Sequence, residues 1–222
     1  MILIKKSAEP SEWTKYRLTP GVDFNPIPEL RDSLYREQGY ICAYCMRRIP
    51  HRDVLGSDSN GKKTNEDHRI EHILCQELHD DRKLDYKNLV VCCPGHIGVS
   101  DHCDRAKGNN DISFSPMDET FIRTIVYSAD GTIKSSNSVY DDEMNRLLNL
   151  NDDMLRENRK STWKGVLEQI CQKKFTKGLL TKQLSYYKSM HKQNIEGNDE
   201  LAYKPYCGII IYNLQKKLKQ MQ

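Results

Sequence analysis

Cys42-Ala43-Tyr44-Cys45, then Leu89-Val90-Val91-Cys92-Cys93, then His102-Cys103-Asp104-Arg105-Ala106-Lys107-Gly108: these three stretches hold five of the chain's 8 cysteines, and their reading decides the fold. A tetrahedral Zn²⁺ takes four thiolate or imidazole donors, usually from two short knuckles that meet in space. Cys42, Cys45, Cys93 and Cys103 are the expected set, because thiolates are soft and anionic and each pair closes a small ring around the ion. Cys92 ends an apolar run and reads as a core residue. The segment between Cys93 and Cys103 is longer than a usual knuckle, which leaves His96 and His102 as alternative donors. A redox CxxC opens a helix within a thioredoxin-like βαβ unit, a context that is missing here. Cys75, Cys171 and Cys207 stand apart and are expected to be ordinary buried thiols.

The composition favours such a staple. The chain has 222 residues, of which 37% are apolar with Tyr counted and Gly not; Tyr and Gly both number 12, so exchanging them changes nothing. That share lies below the roughly 45–50% of globular chains, so burial alone is thin. No run of about 18 apolar residues occurs, which excludes a membrane span. Met1-Ile2-Leu3-Ile4-Lys5-Lys6 is too short for a secretory signal, and its charges follow the apolar stretch. A cytoplasmic, reducing setting is expected, where clustered cysteines mean metal more often than disulfide. The net charge is only +3, but it is unevenly spread. Residues 111–153 carry nine acidic and three basic side chains, net −6, and residues 155–192 carry ten basic and two acidic, net +8. The basic stretch reads either as a phosphate-tracking face or as a solvated one that contacts the acidic segment.

Upstream of the first knuckle lies a proline-rich, irregular lead-in. Ile27 to Gln38 then predicts a helix, with Pro28 near its start, Leu30 and Leu34 on one face and Gly39 just past its end. Residues 53–68 are polar and loop-like. Residues 69–74 alternate like a short strand, and Cys103 leads into a short helix. Phe121 to Tyr127 and Thr132 to Lys134, joined by Asp130-Gly131, predict a β-hairpin. From about Asp141 the spacing is helical: Met144, Leu147, Leu148 and Leu155; Trp163, Leu167 and Ile170; Ile210, Leu214 and Leu218. Gly178 and Gly197-Asn198 are the expected breaks between these helices. The fold class is α+β, a mostly helical chain in four parts: 1–39, 40–112, 113–140 and 141–222.

Between the knuckles sits a set of residues suited to phosphodiester hydrolysis. A water must lose a proton, and His is the side chain that titrates near neutrality. The departing oxygen needs its charge met by a hard divalent cation such as Mg²⁺ or Mn²⁺ on oxygen ligands. His72 is the candidate base, Glu71 and Asp104 the cation ligands, and Asn88 the amide that fixes the His-bearing loop. Arg105 and Lys107 are candidate phosphate clamps. His51, His68 and His79 lie in polar sequence and are expected to be solvated; Tyr86 is expected to pack.

Ile70-Glu71-His72-Ile73, Asn88-Leu89-Val90-Val91-Cys92-Cys93 and Cys103-Asp104-Arg105-Ala106-Lys107-Gly108 together resemble the HNH endonucleases with their ββα-metal fold. With Glu29-Leu30-Arg31-Asp32-Ser33-Leu34, Gly39-Tyr40-Ile41 and the first knuckle added, the chain is most similar to the HNH nucleases of Septu and retron-associated antiphage systems. The HNH motifs cover residues 40–108; the wider likeness extends weakly into the C-terminal helices. The resemblance implies a catalytic trio of His72, Asn88 and Asp104, a structural zinc and a catalytic divalent ion. It also implies a nucleic-acid substrate, DNA before RNA, and a partner ATPase of the PtuA type. The chain has no GxxxxGK[ST] of its own. Two departures stand out: Asp104 fills a slot usually held by His or Asn, and the insert before Cys103 is long. A zinc-stabilised binding module without catalysis is the competing expectation.

Overall fold

The computed structural model describes all residues except 50–55, 58–62, 65–67, 98–99, 174, 196 and 222. His51 and most of the polar loop 53–68 therefore lie outside the described residues. Within that loop Gly56–Ser57 (β1) and Lys63–Thr64 (β2) are described, as a short antiparallel pair, together with His68 at its end.

The expected first helix spans Pro28–Gln38 and is preceded by a shorter one, Ser11–Arg17 (α2 and α1). In α2, Pro28 occupies the first turn, where no intrahelical N–H bond is lost, and Leu30 and Leu34 are fully buried. Gly39 ends it at φ +56. A Cβ there would stand 2.6 Å from the Tyr203 ring, so glycine is required by both conformation and space. The lead-in is more ordered than its prolines suggest: α1 buries Trp13 completely, and the indole N–H donates to Leu84 O at 3.2 Å. Seven residues with one large apolar side chain carry no readable periodicity, so this helix was not legible.

The centre of the chain is a two-stranded antiparallel pair followed by a short helix. Strand β3 (Arg69–His72) pairs with β4 (Leu89–Cys92), with Glu71 opposite Val90 and His72 opposite Leu89. A two-residue pair, β5 (His96–Ile97) and β6 (Ser100–Asp101), turns the chain towards helix α3 (Asp104–Lys107). All of β4 is buried, as its unbroken apolar run requires.

The hairpin forms over a shorter span than expected. Asp118 caps a helix over Glu119–Thr124 (α4), its carboxylate accepting from Thr120 N, and Phe121 stacks on Phe114 at 4.0 Å. Only Ile125–Tyr127 (β7) is strand, paired with Ile133–Ser135 (β8). The N-cap thus outweighs the β-branched run for its first half.

Downstream come α5 (Ser138–Asp142), a π-turn over Glu143–Leu147, α6 (Asp153–Gln172), α7 (Lys177–Tyr187) and α8 (Cys207–Gln220). Gly178 does not separate helices; it sits in the first turn of α7, which Thr176 caps. The Gly197-Asn198 break proves to be the turn of a hairpin, β9 (His191–Ile195) with β10 (Asn198–Ala202). Its strands are mostly polar and exposed, so no apolar alternation announced them. Cys75 and Cys207 are buried as expected, whereas Cys171 is exposed near the end of α6. One buried core links Trp13 and Leu30 through β4 to Leu214 on α8. No helix among the described residues is long and apolar enough to cross a membrane.

Candidate metal centre and acid–histidine pocket

The first knuckle turns tightly: Met46 N donates to Cys42 O at 3.1 Å and Cys42 N to Arg47 O at 2.9 Å. Ala43 N then bonds Val91 O at 3.1 Å, which sets the CxxC beside the end of β4. Cys103 adopts φ +57, a strained conformation for a residue with a Cβ, and is held there by its N–H bond to Leu148 O at 2.8 Å. The result brings together the sulfurs of Cys42, Cys45, Cys93 and Cys103, all buried and all within 4.8 Å of one another.

The closest approaches are 3.8 Å for Cys42 to Cys103 and 3.7 Å for Cys45 to Cys93. Four sulfurs about 2.3 Å from one central ion stand about 3.8 Å apart, so the cluster has the size of a zinc tetrahedron. Burial opposes charge here, yet hydrogen bonds from Cys103, Cys45, Cys92 and Cys93 hold the Cys42 thiol well below its usual range. Burial and the neighbouring thiols push Cys103 up. Such a crowd of thiols is relieved by a cation, and the set could hold a structural Zn²⁺.

The alternative donors stand aside. His102 is fully buried, its Nδ1 3.2 Å from Cys103 Sγ and 3.8 Å from Cys93 Sγ, but it is not part of the mutually close set that the four sulfurs form. His96 is exposed and pairs with Asp101 at 2.8 Å. Cys92 is a core side chain, as its apolar run foretold.

The acid–histidine pocket lies on the same frame. Successive side chains leave a strand on opposite faces, and Glu71 and His72 meet different surroundings. Glu71, 3% exposed, accepts on Oε1 from Tyr44 Oη at 2.9 Å and from Lys107 Nζ at 2.8 Å. Its carboxyl also hydrogen-bonds that of Asp104, the first residue of α3. Arg69 Nε in turn donates to Asp104 Oδ2. Burial and then Asp104 hold the Glu71 carboxyl well above the usual range. Asp104, despite its own burial, is lowered by the bonds from Glu71 and Arg69. Two buried carboxyls so arranged are hard donors of the kind a divalent cation takes.

His72 is 4% exposed and stands edge-on to Phe24, with ring centres 4.4 Å apart. Its Nε2 lies 2.9 Å from Lys83 O; as the donor in that bond, it leaves Nδ1 with the lone pair. Burial lowers its pKa from the ordinary value, so the ring is neutral at pH 7. Asn88 clamps the loop between the strands: Oδ1 accepts from Leu74 N at 2.8 Å, and Nδ2 donates to Leu74 O at 3.0 Å and Arg82 O at 3.1 Å.

Several expected positions fall elsewhere. Lys107 does not face solvent as a phosphate clamp: it is 1% exposed and donates to Glu71 and to His72 O at 2.7 Å. Arg105 is exposed beside Asp101. His68 is buried edge-on to Tyr35, and His79 is only partly exposed, bonded to Asp111 at 2.6 Å. Tyr86 packs as expected, with its hydroxyl on Glu37 and Ser33. Phe24, Tyr44 and Arg69 went unread; only Arg69, two residues before Glu71, carried a usable signal. No protein-family model matches the chain, nor does any curated protein sequence.

Proposed function

We propose that this chain is a metal-dependent HNH endonuclease of ββα-metal type that cuts phosphodiester bonds, of DNA first. In this reading it is the effector of an antiphage system, similar to the Septu nuclease PtuB, and is controlled by a separate ATPase. The observation that carries the reading is the order β3–β4–α3, which puts His72 directly after Glu71 on β3 and Asp104 at the start of α3, all three buried. Glu71 and Asp104 would hold Mg²⁺ or Mn²⁺, which when bound meets the charge on the leaving oxygen. His72 Nδ1 accepts the proton of the attacking water, while the Lys83 carbonyl fixes the ring's tautomer. Asn88 keeps that loop from swinging, and the half-exposed guanidiniums of Arg69, bonded to Asp104, and of Arg105, on α3, are the candidate phosphate donors. The products are a 5′-phosphate and a 3′-hydroxyl.

One observation favours a second reading, a zinc-stabilised binding module without catalysis: Arg69 and Lys107 already neutralise Asp104 and Glu71 from within the chain. Plasmid DNA incubated with the protein, with and without the ATPase, in Mg²⁺ or EDTA, separates the two. Nicked or linear product in Mg²⁺ that disappears in EDTA and in His72→Ala supports the nuclease. Intact plasmid and intact RNA under every condition leave the binding module.

A further inference from the structure

Helix α8 buries only part of its circumference. Cys207, Ile210 and Leu214 face the core, while Ile211, Gln215, Lys216 and Lys219 line an open cavity of about 1180 Å³. Lys5 on the N-terminal segment, Ile122 and Arg123 on α4, Val126 on β7 and Lys188 also line it. The floor, with Ile122, Val126 and Ile211, is apolar and only partly covered.

The rim is one-sided in charge. Glu119 is bound to Arg123 at 2.8 Å and Glu37 to Lys6 at 3.3 Å, so the carboxylates that reach the groove are matched. Lys5, Lys188, Lys216 and Lys219 form no ion pair among the described residues. Lys216 and Lys219 are three residues apart, hence neighbours on the helix surface, where like charges repel. Keeping such a pair over an apolar floor costs stability that an anionic occupant would recover.

We propose that this groove is a docking site for an acidic amphipathic polypeptide segment of a partner chain. Its apolar side covers Ile122, Val126 and Ile211, and its carboxylates meet the four lysines. A nucleic-acid backbone would leave that floor unmatched, since phosphates and sugars offer it no hydrocarbon. A neutral apolar ligand would leave the lysines unmatched. The inference uses none of the residues of the acid–histidine pocket, so either reading can fail alone.

The test is fluorescence anisotropy on the full chain with two labelled 18-residue helical peptides and a labelled 18-nucleotide single strand. Both peptides carry leucines at helix spacing; one has glutamates at its remaining positions and the other lysines. Binding of the glutamate peptide, weakened at least tenfold in Lys216→Glu/Lys219→Glu and again by raised salt, is expected. The double variant should keep the wild-type melting temperature, because both side chains are exposed. Equal binding of the two peptides, oligonucleotide binding that Lys216→Glu/Lys219→Glu weakens as much as it weakens the glutamate peptide, or no binding of the glutamate peptide at about 100 μM protein overturns the proposal.

Discussion

The cysteine cluster and the acid–histidine pocket share the first knuckle and the turn from Cys103 into α3, with β3 added for the pocket, yet they solve opposite problems. The cluster gathers four soft donors, all buried sulfurs within 4.8 Å of one another, a set that could hold a structural Zn²⁺ with no coordination position left open. Such a site holds the chain together and does nothing else. The pocket gathers hard donors and a base, and balances two carboxyls with two cations and a tyrosine hydroxyl. Tyr44 belongs to both regions, since it lies between Cys42 and Cys45 and donates to Glu71. The cysteine cluster thus sits beside a charge-rich neighbour, and variants should separate the two by what they damage.

The largest expected effect is on the staple. Structural zinc contributes about 10–16 kcal/mol in small zinc domains, as much as the whole stability of an ordinary one. Cys42→Ser is therefore expected to lose bound zinc by elemental analysis and to abolish the cooperative melt. Prolonged treatment with a strong chelator should do the same to the wild type. A well-folded, zinc-free wild type would separate the sulfurs from any metal role.

Next comes the buried pair of the pocket. Lys107→Ala leaves Glu71 without its cation and should cost about 3–5 kcal/mol in denaturant unfolding, with zinc content unchanged. Lys107→Met combined with Glu71→Leu should recover most of that loss, because an apolar pair of similar volume fills the same space.

His72→Ala sharpens the comparison in the other direction. Cleavage should fall by about 10²–10⁴ while zinc stays bound. Because the ring is packed on Phe24, a modest stability loss is expected as well. The pH dependence has a definite sign. The folded pKa of His72 is depressed, so the rate should rise with pH through a midpoint below about 6.5 and then level off. The contribution of His72 to stability is likewise present above the unfolded pKa and is lost as pH falls through the folded one. A midpoint above the ordinary histidine value would contradict the burial of the ring.

The smallest effect tests the link between the regions. Tyr44→Phe removes one of two donors on Glu71 Oε1 and should cost about 1.5–3 kcal/mol. It should alter metal-ion dependence of cleavage more than zinc retention. An unchanged metal profile would show that the two regions share a frame and nothing more.

The four cysteines, α2 and strand β3 were legible because each depends on local chemistry: ligand type at fixed spacing, a proline and a glycine at helix ends, an alternation of side chains. The same locality explains the misreadings. Phe121 to Thr124 looked like strand until Asp118 capped a helix, and β9–β10 gave no signal because its strands are mostly polar, with only Ile195 and Ala202 buried. Lys107 was misassigned for a plainer reason. A lysine beside Arg105 on a short helix looks solvent-facing, and only the fold shows it turned inward onto Glu71.

Residue order alone therefore determined which atoms are available: four thiols, two carboxyls, an imidazole and an amide, in that arrangement along the chain. The tertiary structure decided what each one faces. Whether a charged side chain meets solvent or a buried partner depends on contacts between segments far apart in sequence. Tyr44, Glu71 and Lys107 meet at a single carboxylate oxygen only because the knuckle, the strand and the helix pack against one another.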